Sequence, residues 1–203
     1  MKLYYTPGAC SLALHVTLQE AGLAFDREAV DLRTHQTAGG ENFYTINPKG
    51  YVPALRLDDG ALLTENPAVL QYVADQVPAK KLAPAAGTIE RYRLQEWLGF
   101  IGTELHKNFG PLFNPACTEE TRKAQLERIA TRFGFVEKSL EGRQYLMGAG
   151  FTVADAYLLP ILHWAGKFGV DFAQWPSLAA YRERLLARPA VQTTMTAEGL
   201  IKA

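Results

Sequence analysis

The sequence is poor in cysteine. Cys10 and Cys117 are the two thiols among 203 residues, too few for a disulfide framework and without the spacing of a zinc site. Three residues after Cys10 stands Ala13, so a self-contained dithiol couple is excluded and redox chemistry at Cys10 needs an external thiol. Charge of one sign is also missing. Lys+Arg and Asp+Glu balance at 21 each, which removes the bulk electrostatic argument for nucleic acid or an anionic membrane as a partner. No window approaches the roughly 18 apolar residues of a membrane span. The opening Met1-Lys2-Leu3-Tyr4-Tyr5 carries no long apolar stretch, so no secretory signal is expected and a reducing cytoplasm is the expected location. Neither an internal repeat nor a low-complexity tract occurs.

What is present falls into two rhythms. Through residues 1–77 the period switches repeatedly. Residues 2–6 read as a strand, Pro7-Gly8-Ala9 as a turn, and residues 11–21 as a helix stopped by Gly22. A second strand is expected over 25–32 and a loop at Gly39-Gly40. Short strands at 54–57 and 61–64 flank Asp58-Asp59-Gly60, a hairpin signal. Asn66-Pro67 then opens a helix, Asn as cap and Pro at the first helical position. The sum is a β-α-β-(α)-β-β-α unit with a mixed sheet. Residues 78–87, with two prolines and small side chains, read as a linker. From 88 to 203 the pattern is helical. Leu94, Leu98, Ile101 and Leu105 form one stripe, and helices start at Thr118 and at Thr152, where Asp155 can complete a capping box behind a Phe151 staple. Pro160 is expected to kink that last helix. Residues 177–187 and a short piece after Pro189 complete the helical half.

Several residues stand where chemistry is possible. Cys10 lies between a glycine-containing turn and a helix start, where N–H groups and the helix dipole favour an anion. Its thiol pKa is therefore expected below the ordinary ~8.5, unless Cys10 is a buried structural residue. Ser11 is either a donor to that thiolate or an ordinary first-turn residue. The segment Gly50-Tyr51-Val52-Pro53-Ala54-Leu55 precedes a strand, so Pro53 can be cis. The backbone of Val52 would then be left for an extended peptide to pair with; an ordinary trans proline is the alternative. In Thr64-Glu65-Asn66-Pro67 a carboxylate and an amide meet at a helix start and suit an α-amino acid, though routine capping explains them equally. His106 lies with Gly99, Thr103 and Gly110 on a stripe of small residues, where a neutral imidazole can take a thiol proton or donate to a sulfur anion. His15, His35 and His163 are read as structural on pattern alone. Trp164, with Tyr157, Ile161 and Phe168 at helical spacings, reads as core.

Together these motifs resemble the cytosolic glutathione transferase family, most closely its bacterial Beta class, from end to end. The carriers are Tyr4-Tyr5-Thr6-Pro7-Gly8-Ala9-Cys10-Ser11, Asn47-Pro48-Lys49-Gly50-Tyr51-Val52-Pro53, Leu63-Thr64-Glu65-Asn66-Pro67, Glu104-Leu105-His106-Lys107 and Thr152-Val153-Ala154-Asp155. The resemblance implies an α/β thioredoxin-like N-terminal domain, an all-α C-terminal helical domain, and a homodimer. It implies glutathione as co-substrate, a small hydrophobic electrophile as second substrate, and no metal. Cys10, Ser11 and His106 would be catalytic. Tyr5, His35, Val52, Pro53, Glu65, Asn66, Thr103, Glu104 and Lys107 would bind glutathione, Val52 pairing with the cysteinyl backbone, Glu65 and Asn66 holding the γ-glutamyl end, and Thr103 and Glu104 reaching towards the ligand of a neighbouring subunit. Phe109 and Trp164 would line the electrophile pocket. Two departures bear on the ligand: Asn66 replaces the usual serine, and His35 stands where the class often has lysine. Gly99 is a third, at a position that is often polar.

The implied activity is transfer of the glutathione thiol in detoxification. Cys10 beside the ligand sulfur adds thiol–disulfide exchange, or glutathione-dependent reduction including reductive dehalogenation of aromatic compounds. A non-catalytic glutathione-binding regulatory protein is the alternative of a different kind, since fold does not fix function. A glutaredoxin-like electron carrier is disfavoured by the helical half and the missing second cysteine.

Overall fold

A computed structural model describes residues 1–202 of the chain. The first half runs β1 (Lys2–Tyr5), α1 (Leu12–Ala21), β2 (Asp26–Asp31), β3 (Gln36–Thr37), α2 (Phe43–Ile46), β4 (Ala54–Arg56), β5 (Leu62–Thr64) and α3 (Asn66–Gln76). The strands form one mixed sheet in the order β3-β2-β1-β4-β5. β1 and β2 are parallel, as their connection through α1 requires, while β4 and β5 form the expected antiparallel hairpin. Alternation along β1 assigns the two faces. Tyr4, in register with Ala54, points into a cluster with Val30, Phe43, Ile46 and Val52. Leu3, in register with Leu55, points the other way and is also fully enclosed. Both faces of the central strand are thus covered, which is why β1 reads as a nearly continuous apolar run rather than an alternating one.

The second half contains α4 (Ile89–Phe100), a π-helical turn (Ile101–His106), a short α5 (Lys107–Phe109), a 3₁₀ turn (Gly110–Phe113), α6 (Glu119–Leu140), α7 (Val153–Lys167), α8 (Pro176–Leu186) and α9 (Pro189–Ala197). Thr88 and Thr118 cap α4 and α6 by accepting the N–H groups of Arg91 and Thr121. Leu94, Leu98, Ile101 and Leu105 are all buried, as their spacing predicts. The π turn was not legible in that spacing. α7 runs on through Pro160, and its capping box at Thr152 and Asp155 is formed. Thioredoxin-like α/β and all-helical parts are therefore both present.

The compact units divide differently from the expected 1–77 and 88–203. One comprises residues 1–83 together with the segment from Arg188 onward; the other is Pro84–Ala187. The break at Ala83 and Pro84 falls inside the expected linker. The difference lies at the far end, because α9 packs on α1 of the first unit. Polar ties of very long range hold it there. The Arg188 guanidinium forks onto Glu20 at 2.6 and 2.9 Å, Arg27 donates to the Ala197 carbonyl at 2.9 Å, and Glu198, just past α9, reaches His15 at 2.8 Å. Helical periodicity identified α9 but carried no information on which unit it joins. Among the described residues no helix is long and apolar enough to cross a membrane, and no group of three or more His, Cys, Asp and Glu side chains is gathered as a metal site.

Candidate active site

The turn after β1 is held from every side. Thr6 Oγ1 donates to the Val30 carbonyl of β2 at 2.7 Å. The Thr6 N–H is accepted by Ser11 Oγ at 3.1 Å, and the same hydroxyl lies 3.2 Å from the Thr6 carbonyl, to which it donates. Gly8, at φ 71°, gives its N–H to Glu198 Oε2 at 2.8 Å. The buried Ser11 side chain is thereby committed to the turn, which matches the first-turn reading of this residue. Its backbone N–H, with that of Cys10, is what favours an anion at Cys10 Sγ.

Those N–H groups do not win. Burial pushes the Cys10 thiol up to about 12, and the charge of Glu65 adds to the rise, outweighing the N–H donors and the Asn66 amide that pull it down. The thiol donates to the Val52 carbonyl at 3.2 Å, an arrangement available to SH and not to a thiolate. The depressed pKa expected at the helix start is therefore overturned: desolvation exceeds the dipole and N–H contribution. In a Cys117→Ser background, iodoacetamide is expected to modify Cys10 roughly tenfold or more slowly at neutral pH than an unhindered cysteine, with the rate still rising at about pH 10. A plateau reached below about pH 8 would contradict this assignment.

Next to Cys10 the Val52–Pro53 bond is cis. The loop that delivers it is built by Asn47, whose Oδ1 accepts the Lys49 N–H (3.2 Å) and whose Nδ2 donates to the Tyr51 carbonyl (2.7 Å). Gly50 turns at φ 69°, and a Cβ there would meet Tyr44 Cε1 at 2.6 Å, so any other residue would be strained and would have to displace the Tyr44 ring. The Val52 carbonyl is not left idle, as the sequence reading expected, but already holds the Cys10 thiol.

Glu65 is itself the cap of α3, one residue earlier than expected, with φ 70°. Its carboxylate is exposed and paired with Lys49 Nζ at 2.8 Å, and Lys49 also reaches Thr64 Oγ1 at 3.1 Å. Asn66 opens the helix and is buried. Its Nδ2 donates to the Cys10 carbonyl at 3.1 Å, and its Oδ1 is enclosed without a hydrogen-bond partner. The amide thus links α3 to the Cys10 turn instead of capping its own helix. His35, at φ 53°, stacks on Tyr44 with ring centroids 4.4 Å apart, and its Nδ1 is enclosed without a partner. Tyr5 belongs elsewhere: its ring packs on His15 at 5.6 Å beneath the Arg27 guanidinium at 5.7 Å. Strand alternation puts Tyr5 on the α1 side, with Leu3, so the structure gives it a packing place.

In the helical unit, His106 closes the π turn and its Nδ1 lies 2.9 Å from the Tyr157 hydroxyl. The imidazole stands 5.1 Å from the ring of Trp164. Phe109 and Trp164, the expected electrophile wall, are 0% and 4% exposed. The accessible aromatic beside them is Phe113, 51% exposed, set edge-on to Trp164 at 5.1 Å. Sequence reading missed Phe113 because it lies on a 3₁₀ turn outside the helical stripe. Thr103 Oγ1 bonds back to the Gly99 carbonyl at 3.0 Å, and Glu104 pairs with Arg132 of α6 at 2.7 Å. Both are engaged within their own chain. Lys107 opens α5 directly after His106. The other missed residue is Glu198, whose partners lie about as far away in sequence as the chain allows.

Comparison with known proteins agrees with this layout. Models of the glutathione S-transferase N-terminal and C-terminal domains match residues 8–76 and 100–189. The chain is 46% identical over 203 residues to glutathione S-transferase GstA of Escherichia coli O157:H7, covering 98% of this chain and all of that protein. Among solved structures, a sphingomonad glutathione S-transferase complexed with glutathione superposes with a TM-score of 0.95 at 49% identity, covering 99% of this chain and 100% of that one. The bacterial beta class enzyme of Sphingomonas chungbukensis gives 0.96 at 47% identity with the same coverage. With both domains matched and relatives of this identity aligned end to end, the chain belongs to the glutathione transferase family, in its bacterial Beta class.

Proposed function

We propose that the chain is a glutathione transferase that binds glutathione on its first unit and transfers the thiol to small hydrophobic electrophiles. The observation that carries this reading is the cluster of Cys10, Val52, Glu65 and Asn66. It combines a sulfur environment with two N–H donors, a strand-like carbonyl beside it, and a carboxylate at a helix start. The chemistry of these groups suits a γ-glutamyl tripeptide: an ammonium for Glu65, a peptide N–H for the Val52 carbonyl, and a sulfur anion for the Cys10 thiol.

Because Cys10 is held as a thiol, it serves best as a donor to the glutathione thiolate. Rate acceleration then comes from proximity and from stabilising that sulfur anion, with His106 as a further donor. Phe113, with Phe109 and Trp164 behind it, supplies the apolar surface for the electrophile. Thiol–disulfide exchange is the second reading, favoured by the placement of a thiol where the ligand sulfur would sit. A homodimer and a cytoplasmic location accompany the family reading, with the partner's ligand as the proposed neighbour of Thr103 and Glu104. Lys107 remains a proposed ligand cation beside His106.

Titration calorimetry with glutathione, followed by conjugation of a model aryl halide, tests the proposal. Saturable binding with turnover is the expected result. Binding without turnover favours the regulatory alternative, and no heat at millimolar ligand on a folded sample sinks the reading. Cys10→Ala separates the two activities: loss of exchange with conjugation retained assigns Cys10 to exchange, while unchanged exchange excludes it as the nucleophile.

A further inference from the structure

A histidine that serves a sulfur anion must present a chosen nitrogen in a chosen protonation state, and an unrestrained imidazole does neither. His106 is restrained. It ends the π-helical turn Ile101–His106, where the backbone winds wider than in the flanking α-helices and re-aims the side chains it carries. One ring edge meets the Tyr157 hydroxyl at 2.9 Å from Nδ1, with the two rings edge-on at 86°. Another side is walled by Trp164 at 5.1 Å. Tyr157 is 3% exposed on α7, a helix buried along most of its length, so its hydroxyl is as fixed as the core around it.

We infer that Tyr157 is a positioning residue that selects the tautomer of His106. A phenol is a good donor and a poor acceptor, and a neutral imidazole offers one bare nitrogen. Donation from Tyr157 to Nδ1 places the ring proton on Nε2, the nitrogen away from the hydroxyl. His106 then acts as an N–H donor through Nε2 and is not the base that removes the glutathione proton. Of the two roles open to His106 on sequence grounds, this contact selects one. The inference rests on the proposal that His106 takes part in the reaction, but the tautomer itself does not.

The test uses the full chain with nitrogen-15 histidine and the Tyr157→Phe variant, which keeps the buried ring and removes one oxygen. Ring signals are assigned by comparison with His106→Asn. In the unsubstituted protein His106 is expected to show a bare Nδ1 and a protonated Nε2, and in Tyr157→Phe a mixture of tautomers. The kcat for conjugation is expected to fall roughly fivefold to tenfold, the effect of one hydrogen bond, with KM for glutathione changed by less than about twofold. A protonated Nδ1 in the unsubstituted protein, or an unaltered tautomer in the variant, overturns the inference. Full activity in His106→Ala would instead remove His106 from the reaction, and the nitrogen-15 spectra would still decide whether Tyr157 sets its tautomer.

Discussion

Replacing Glu198 by alanine is expected to destabilise the protein by about 3 to 5 kcal/mol, the cost of leaving two buried hydrogen-bonding groups without a partner at about 1 to 3 kcal/mol each. The carboxylate is enclosed. Oε1 lies 2.8 Å from Nδ1 of His15, itself 1% exposed, and Oε2 accepts the Gly8 N–H at 2.8 Å. Alanine leaves an imidazole and a backbone N–H buried with their partner gone, between the rings of Tyr5 and Phe25 that flank His15. For a chain of this size the thermal midpoint should fall by roughly 10 °C or more. Glutathione binding should weaken as well, since Gly8 belongs to the turn that sets Cys10. Glu198→Gln, which retains an acceptor for Gly8, should lose clearly less. A midpoint within about 2 °C of the unsubstituted protein for Glu198→Ala would show that the contact contributes nothing to the folded state.

Asp155→Ala should be of similar size in the other unit. Oδ1 accepts the Leu146 N–H at 2.9 Å and the Tyr181 hydroxyl at 2.8 Å, while Oδ2 accepts the Thr152 N–H at 2.7 Å and the Thr152 hydroxyl at 2.9 Å. The Tyr181 hydroxyl remains a donor, because burial and then the charge of Asp155 hold its pKa well above the usual tyrosine value. Removing the carboxylate strands two buried N–H groups and the α7 cap, a loss of about 3 to 5 kcal/mol. The pH dependence is unusual for a capping acid. Burial raises the Asp155 pKa despite the four hydrogen bonds. A folded pKa above the unfolded value of 3.8 means the group's contribution is complete below that value and is lost as pH rises through the folded one. The stability gap between the unsubstituted protein and Asp155→Ala should therefore widen as the pH falls from neutral towards the unfolded value of 3.8, measured by urea unfolding. A gap that narrows on acidification would mean that the hydrogen bonds, and not desolvation, dominate at this carboxyl.

The parts that were legible in the sequence are those whose physics is local. A glycine that must take positive φ ends α1 at Gly22, threonines that accept nearby N–H groups begin α4 and α6, and the Asp58-Asp59-Gly60 turn joins β4 to β5. Each depends on partners a few residues away. The order and spacing of Cys10, Val52-Pro53, Glu65-Asn66 and His106 carried the family in the same way.

What only the tertiary structure decided depends on groups far apart in sequence or on the solvent each one loses. Whether Cys10 is a thiol or a thiolate turns on the water its sulfur loses and on the Val52 carbonyl and the Glu65 charge, and no local motif reports desolvation. The Asn66 amide serves the Cys10 turn, 56 residues earlier in the chain, rather than its own helix. The leucine stripe stayed buried through a π turn, so periodicity gave no sign of the turn that aims His106. Glu198 joins the turn of Gly8 because α9 packs back on α1, and the chain between them holds a whole helical unit. The sequence by itself determined the elements, their caps and the family, since short-range sterics and hydrogen bonding act within a turn or two. Packing decided protonation, side-chain aim and the home of the last helix, since burial and Coulomb interactions are fixed only when distant segments meet.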